Sequence, residues 1–455
     1  MLAVSLNALR DRTGGELIGA DVSLTGLSMD SRLARSGDLF AAIKGARLDG
    51  HDYALNALAG GASALLTERM LEGLSPQLVV SDVVRAAGDF GYLKRADFSG
   101  TVIGITGSAG KTTTKNLLSA ALAAAGPVLA TQGNRNNELG VPLTLAGLSE
   151  EHLFAVIEMG AGKPGDIASL CEIVMPDVSI LLNASAAHLA HFDSVAEIAD
   201  TKGEILRGLR DRGLAVINAD QPWLPHWRQQ AGAARQATFG LSDSADYRAC
   251  DVSNGGLSGS RFRLMGPGIE VDVSLSLPGQ QHIYNALAAL TAAIELGVAP
   301  ELAAAGIAGI KSEAGRGLVS SDRFGGRVVD DCYNANPAAV RAALECLAHE
   351  SGHRVMILGP MLELGPQTPE LHREIGAYAR ERGVDQLIVV GEMAEPAAEG
   401  FGEGAMRFED QQSLMADFPA LPTDHLIWVK GSRGAALESL VDWLSDESTE
   451  GGFPC

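Results

Sequence analysis

From Thr101 onward, short β-branched runs alternate with helical ones: "TVIGITG", "KTTTKNLLSAALAAAG", "FAVIEMGA", "VSILLNAS", "SVAEIADTKGEILRGL" and "LAVINAD". Such an alternation folds as a parallel sheet flanked by helices, because parallel neighbours need a crossover and a helix supplies it. The rhythm returns after Arg327 in "RVVDDC", a helix after Asn336-Pro337, "RVMILG", a helix through "ELHREIGAYARERG", "DQLIVVG" and "HLIWVKG" before "GAALESLVDWL". Between Ala233 and Pro278 the pattern changes to short alternating strands with Gly turns, which predicts an antiparallel extension of the first sheet. An Ala-rich helix is expected there from about Ile283 to Leu296. Ahead of about Asp82 lies a smaller α/β unit containing "SMDSRLARSGDLFAAIKGARLDGHDY". The glycine-rich "KSEAGRGLVSSDRFGG" reads as a linker. The expected division is three α/β domains, 1–82, 83–313 and 314–455, with the parallel sheet in the middle one.

Composition narrows the function. A net charge of -21 argues against a nucleic-acid surface, which needs clustered Lys and Arg. It leaves room for a phosphorylated small molecule held by a local set of donors. No apolar run approaches the ~20 residues that span a bilayer, and "MLAVSLNALRDRTGGELIGA" is a poor secretory signal, so a cytoplasmic location without membrane insertion is expected. Cys171, Cys250, Cys332, Cys346 and Cys455 are scattered without a C-x-x-C pair, the pattern of reduced thiols.

The first strand runs into "GITGSAGKTTTK". The common phosphate-loop pattern G-x-x-x-x-G-K-[ST] would place glycine where this chain has Ile105. Three readings follow: a degenerate nucleotide site, an ordinary glycine turn, or a different phosphate loop. Strand, Gly107-Ser108-Ala109-Gly110, Lys111, Thr112, Thr113 and helix all stand in the order that turns backbone N–H groups and a helix dipole toward one anion. Lys111 would neutralise phosphate charge and Thr112 offer a hydroxyl to Mg2+. Glu158 ends the strand "FAVIEMGA" at the same ligand-facing edge, as an acidic partner for a metal or as a carboxylate exposed at a strand end. His188 and His191 follow the next strand, as metal ligands or structural hydrogen-bonders, and Lys202 by pattern is a solvated helix lysine.

Four motifs in this order, "TGSAGKTT", "GNRNNELGVPL", "IEMGAGKPGDI" and "HLAHFDSVAEIADTKGEI", resemble the ATP-dependent Mur ligases of peptidoglycan synthesis, whose phosphate loop has the shortened form T-G-[ST]-x-G-K-T. Ile105 is expected in such a loop. "DSR", "GDLF", "DGH", "DDCYNANP", "MLELG" and "VKGSRGAALE" resemble the branch that joins D-alanyl-D-alanine to a UDP-N-acetylmuramoyl-tripeptide through an acyl phosphate. No "DNPR" stretch, expected of the diamino-acid-adding branch, is present.

The resemblance implies a UDP-binding first domain, a phosphate-loop central domain and a Rossmann-like third domain that closes over ATP, in an enzyme expected to be a monomer. It implies Thr112 and Glu158 as partners of one Mg2+, His188 as ligand of a second, and Lys202 as a carbamylated lysine at that second metal. Asn134 and Asn137 would lie near the phosphates and acceptor. Asn285 would contact adenine, Arg316 the phosphates and Asp331 the ribose, with Tyr333, Asn334 and Asn336 in the same loop. Ser31, Arg32, Lys44, Asp49 and His51 match the UDP-side motifs. Two departures stand out: Pro360 replaces aspartate in "GPMLELG", and Gln281-His282 departs from the usual "G-x-H-N", which leaves the role of His282 open. A sister amino-acid-adding ligase and a phosphate-loop NTPase without ligation are the competing readings. The second leaves the histidine and lysine unexplained.

Overall fold

The computed structural model describes residues 2–186 and 192–445. It groups into two compact units, one of Met1–Asn183, Asp200–Asp246 and Ala288–Gly306, the other of Ala184–Ala199, Tyr247–Leu287 and Ile307–Cys455.

Besides a two-stranded antiparallel ladder of Val4–Ser5 with Ser23–Leu24, the first unit holds two larger sheets. The smaller has the strand order Glu16–Ile18, Gln77–Val79, Ala64–Thr67, Asp38–Ala41, Gly26–Ser28, parallel except at the Glu16–Ile18 edge. The helix Val83–Ala96 starts where the Asp82 carboxylate accepts the Arg85 N–H at 2.9 Å. Val83, Ala86, Ala87 and Phe90 recur at helical spacing, and that face packs with Leu39, Ala41 and Leu66 of the smaller sheet.

The same helix buries Lys94, whose Nζ donates to the carbonyls of Leu2 at 2.6 Å and Thr25 at 3.0 Å. Burial lowers its pKa from 10.5 to about 8. Between those values the unfolded lysine keeps a proton that the folded one has released, so stability rises with pH across the window. Relative to Lys94→Met, the wild-type chain should gain up to about 3 kcal/mol between pH 7.5 and 10.5, read from urea midpoints.

The larger sheet of this unit runs Arg235–Gly240, Leu214–Asn218, Val178–Leu181, Thr101–Thr106, Phe154–Glu158, Val128–Ala130, all parallel. The chain leaves Thr101–Thr106 toward one edge and later returns to its other side. The strand order therefore reverses at Thr101–Thr106, and its carboxyl end is where a crevice forms in open α/β sheets.

In the second unit, Tyr247–Asn254, Ser260–Gly266 and Ile269–Leu275 form the expected antiparallel strands. The helix Gln281–Glu295 follows them in the chain. A six-stranded sheet has the order Leu318–Ser321, Arg327–Asp331, His425–Lys430, His353–Leu358, Gln386–Val390, Ala405–Phe408. Its inner strands alternate between two cores. Val329, Met356, Leu387 and Trp428 face one, while Val328, Val355, Ile388 and Ile427 face the other. A sheet covered on both faces needs such continuous apolar runs.

The stretch read as a linker contains the strand Leu318–Ser321, paired antiparallel with Arg327–Asp331. Its composition is that of a loop, and tertiary pairing overrides it. The turn between the two strands is held by Asp322, whose Oδ1 accepts the N–H groups of Phe324 and Gly326. Its Oδ2 meets Nε2 of the buried His425 at 2.7 Å.

Candidate active site

The phosphate loop is built from the strand outward. Ile105 is fully buried inside Thr101–Thr106, opposite Glu158 on one side and Ile180 on the other. Residue 105 is thus part of the strand, and the loop proper begins at Gly107. A Cβ on Gly107 would stand 2.9 Å from Leu182 Cβ, so glycine lets the loop pass close to the neighbouring strand. Gly110 precedes the helix Lys111–Leu122 at φ +85°, a left-handed turn natural to glycine.

Asn183 holds the loop from the next strand end. Its Oδ1 accepts the Ala109 N–H at 3.0 Å, its Nδ2 donates to the Ala109 carbonyl at 3.1 Å, and its backbone carbonyl accepts the Ser108 N–H at 3.1 Å. Lys111 Nζ donates across the loop to the Gly107 carbonyl at 2.8 Å. Asn183→Ala removes two of these bonds, each contributing about 1 kcal/mol. The KM for ATP should rise about tenfold with the overall fold kept, as steady-state kinetics and circular dichroism would show.

Thr112 and Glu158 come together as expected: Thr112 Oγ1 donates to Glu158 Oε2 at 2.8 Å, and both side chains are buried. Glu158 Oε1 accepts from Asn136 Nδ2 at 2.7 Å. Of the "GNRNN" asparagines it is therefore Asn136 that reaches the carboxylate. Asn137 Oδ1 instead accepts the N–H groups of Leu139 and Gly140, and the Asn134 carbonyl accepts the Asn136 N–H. Thr131 takes the Glu158 N–H on its hydroxyl and the buried Lys115 ammonium on its carbonyl. Asn136, Asn183, Thr131 and Lys115 were missed by the sequence reading. Thr131 and Asn183 follow strand ends, Asn136 lies within "GNRNN" itself, and Lys115 is in the second turn of the loop's helix.

Lys202, on the helix Val195–Arg207, is 3% exposed, so the solvated-face reading fails. Burial, and next the positive charge of Lys111, bring its pKa down from 10.5 to about 7. Among the described residues no carboxylate pairs with it. His188 and His191 lie outside the described residues.

Among the described residues no three His, Cys, Asp or Glu side chains cluster tightly enough to cage a metal. The donors that do converge, the Thr112 hydroxyl and the Glu158 carboxylate, are hard oxygens. That set fits Mg2+, which binds through one or two protein oxygens together with substrate phosphates rather than in an all-protein cage.

The second unit places Asn285 beside His282, with Asn285 Nδ2 3.2 Å from His282 Nδ1. Burial, then the Lys430 charge, lower the His282 pKa to about 4, which keeps the ring neutral. Asp331 Oδ2 accepts from Lys430 Nζ at 2.7 Å and Trp428 Nε1 at 3.2 Å, while burial pushes its pKa upward. The Arg316 guanidinium lies 4.1 Å from the centre of the Tyr333 ring. Asn336 Oδ1 caps the helix Pro337–Ala348 by accepting the Ala339 N–H, and Asn334 Oδ1 accepts the Ala335 N–H. Cys332 is buried and its thiol pKa is raised, mainly by burial, which suits packing.

Among the residues expected on the UDP side, Arg32 is 84% exposed in its side chain and pairs with Asp30 at 2.6 Å, next to the half-buried Ser31. The exposed Lys44 pairs with Asp49 through an isolated antiparallel β-bridge of the backbone. Asp49 takes the His51 N–H, His51 Nδ1 at 2.6 Å and Arg69, and these bonds hold its pKa well below the usual carboxylate range. His51 Nε2 accepts the Glu68 N–H at 2.9 Å, so both ring nitrogens are engaged inside the protein.

A reversing parallel sheet, a glycine loop with Lys-Thr at a helix start and an acidic strand end beside it define a phosphate-loop α/β enzyme. Residues 23–96 match the Mur ligase family catalytic domain, 105–293 the Mur ligase middle domain and 315–433 the Mur ligase glutamate ligase domain. The UDP-N-acetylmuramoyl-tripeptide--D-alanyl-D-alanine ligase of Escherichia coli is 38% identical over 99% of this chain and 100% of its own length. A crystal structure of MurF from Acinetobacter baumannii superposes with a TM-score of 0.89 at 31% identity, covering 97% of this chain and 99% of that one. The MurF ligase of Thermotoga maritima, solved in complex with ADP, gives 0.81 at 31% identity over 92% and 96%. The chain belongs to the Mur ligase family.

Proposed function

We propose that this protein is an ATP-dependent amide ligase that adds D-alanyl-D-alanine to UDP-N-acetylmuramoyl-tripeptide, producing the pentapeptide precursor of peptidoglycan. The observation that carries the reading is end-to-end correspondence with the Escherichia coli ligase, 99% of one chain against 100% of the other. Amide formation requires an activated carboxyl group, and phosphorylation of the tripeptide carboxylate supplies it. The dipeptide amine then attacks the acyl carbon, the C–O bond to phosphate breaks, and phosphate leaves as the amine proton is lost.

The work of the first step is positioning and charge neutralisation, which needs no protein nucleophile. The loop from Gly107 to Thr113 cradles the phosphates of ATP through the N–H groups that Asn183 does not take, together with the Lys111 ammonium, and Thr112 and Glu158 would hold Mg2+. When bound, Mg2+ offsets negative charge on the transferred phosphoryl group. Arg316 adds charge, Asn285 reads the adenine, and Asp331 reads the ribose beside Tyr333, Asn334 and Asn336. Asn134 and Asn137 serve the phosphates and acceptor, and Ser31, Arg32, Lys44, Asp49 and His51 form the UDP side. A second Mg2+ would be held by His188 and by Lys202 as a carbamate. A buried lysine that gives up its proton near neutrality can add to CO2, forming an N–C bond and releasing a proton to water, and so become an oxygen donor.

We assign a cytoplasmic, monomeric enzyme. Among the described residues no helix is long and apolar enough to cross a membrane. The separate family matches ending at 293 and starting at 315 support the division near residue 313. Incubation with ATP, Mg2+, UDP-N-acetylmuramoyl-tripeptide and D-alanyl-D-alanine should yield, by mass spectrometry, a product with the summed mass of the two substrates less one water. Persistence of both substrates under those conditions counts against the assignment.

A further inference from the structure

We propose that the first unit carries a second oxyanion site, at the end of its parallel sheet opposite the phosphate loop, that takes a small phosphate-bearing ligand. A cavity of about 490 Å3 opens at the amino ends of Thr101–Thr106, Val178–Leu181, Leu214–Asn218 and Arg235–Gly240. Its charged lining is Arg210, Arg212, Arg235 and Asp177.

Asp177 is already committed. Its Oδ2 accepts from the buried Arg95 at 2.8 Å and from the Val102 N–H at 2.9 Å, which leaves Arg210 a 3.4 Å contact on Oδ1. Arg235 pairs with Glu295 at 2.6 Å. Arg212 has no carboxylate partner among the described residues. Three arginines and one aspartate therefore line the cavity, in a chain whose net charge is -21.

The backbone at Arg212 adds an independent observation. Its φ is +63°, in the left-handed region where glycine or asparagine is the usual occupant. The turn is held tightly there: a Cβ on the following Gly213 would lie 2.9 Å from the Arg210 carbonyl and 3.0 Å from that of Asp177. An arginine kept at such a position presents an unshared guanidinium to the cavity, and strained residues of this kind concentrate at ligand sites. Forked N–H donors with surplus positive charge match a tetrahedral dianion. The chain's overall negative charge disfavours a nucleic-acid polymer there. A six-residue strand places the two sites roughly 20 Å apart, beyond the ~8 Å over which exposed charges act in physiological salt.

The test is calorimetric titration at constant ionic strength with inorganic phosphate and, separately, glycerol phosphate. Wild-type protein should bind at least one of them saturably at about millimolar affinity, and the tighter of the two identifies a free-phosphate or a monoester site. Arg212→Gly removes the guanidinium while fitting the left-handed backbone, and should weaken binding at least about tenfold. The exposed Arg235→Gln should do likewise. Lys111→Ala should retain the binding. Absence of saturable binding in the wild type, wild-type affinity in either arginine variant, or loss of all binding in Lys111→Ala would overturn the proposal.

Discussion

Lys111→Ala removes ligation, with a fall in turnover on the order of 1,000-fold or more and an unchanged fold. The ammonium is already placed across the loop on the Gly107 carbonyl, at the amino end of a helix that contributes the same sign of field. There it opposes the charge that builds on the transferred phosphoryl group, where no other described loop residue brings a full positive charge. The side chain lies at a helix start and is only half-buried, so its loss leaves the hydrophobic core intact. Single-turnover assays with saturating ATP, alongside circular dichroism, check both halves. Wild-type-like turnover in the variant would remove the phosphate-loop assignment.

Lys202→Ala should cost comparable activity and respond differently to chemistry added from outside. The side chain is buried beside the positive charge of Lys111, an environment hostile to an ammonium and suited to an anion. If the working group is a carbamate, bicarbonate or a short carboxylic acid diffusing into the space should restore part of the rate to the alanine variant, and neither should rescue Lys111→Ala. An active Lys202→Ala variant indifferent to bicarbonate contradicts the carbamate. Lys202→Met separates the two losses further, since it keeps the packing and gives no room for the added acid.

Much of this site was legible because parallel sheets bring strand ends together. Once "TVIGITG" and "FAVIEMGA" are read as neighbouring parallel strands, Thr112 and Glu158 must meet at one edge, and they do at 2.8 Å. Which asparagine of "GNRNN" turns inward was not legible. Asn136 reaches Glu158 because the loop backbone folds on itself, the Asn134 carbonyl taking the Asn136 N–H, and no periodicity records such a turn. Lys202 shows the opposite limit. Its helix reads as amphipathic with an exposed lysine, and its burial depends on chain segments distant in sequence.

The fold divides in the same way. Elements with strong apolar period, such as His425–Lys430 and Val178–Leu181, sit where the pattern puts them. The strand Leu318–Ser321 is written in glycine, serine and arginine neighbours and exists because Arg327–Asp331 offers it an edge. Asp49 and His51 are the cautionary pair: a motif near the UDP side whose bonds run largely inward, to Glu68, Arg69 and each other.

Phosphate release from ATP in the presence of Mg2+ and UDP-N-acetylmuramoyl-tripeptide, with D-alanyl-D-alanine compared against single amino acids including D-alanine, L-glutamate and a diamino acid, decides whether the enzyme is a dipeptide ligase. Release should depend on the dipeptide and be stoichiometric with product. Release that proceeds without an acceptor, or that a single amino acid supports as well as the dipeptide does, would contradict that assignment.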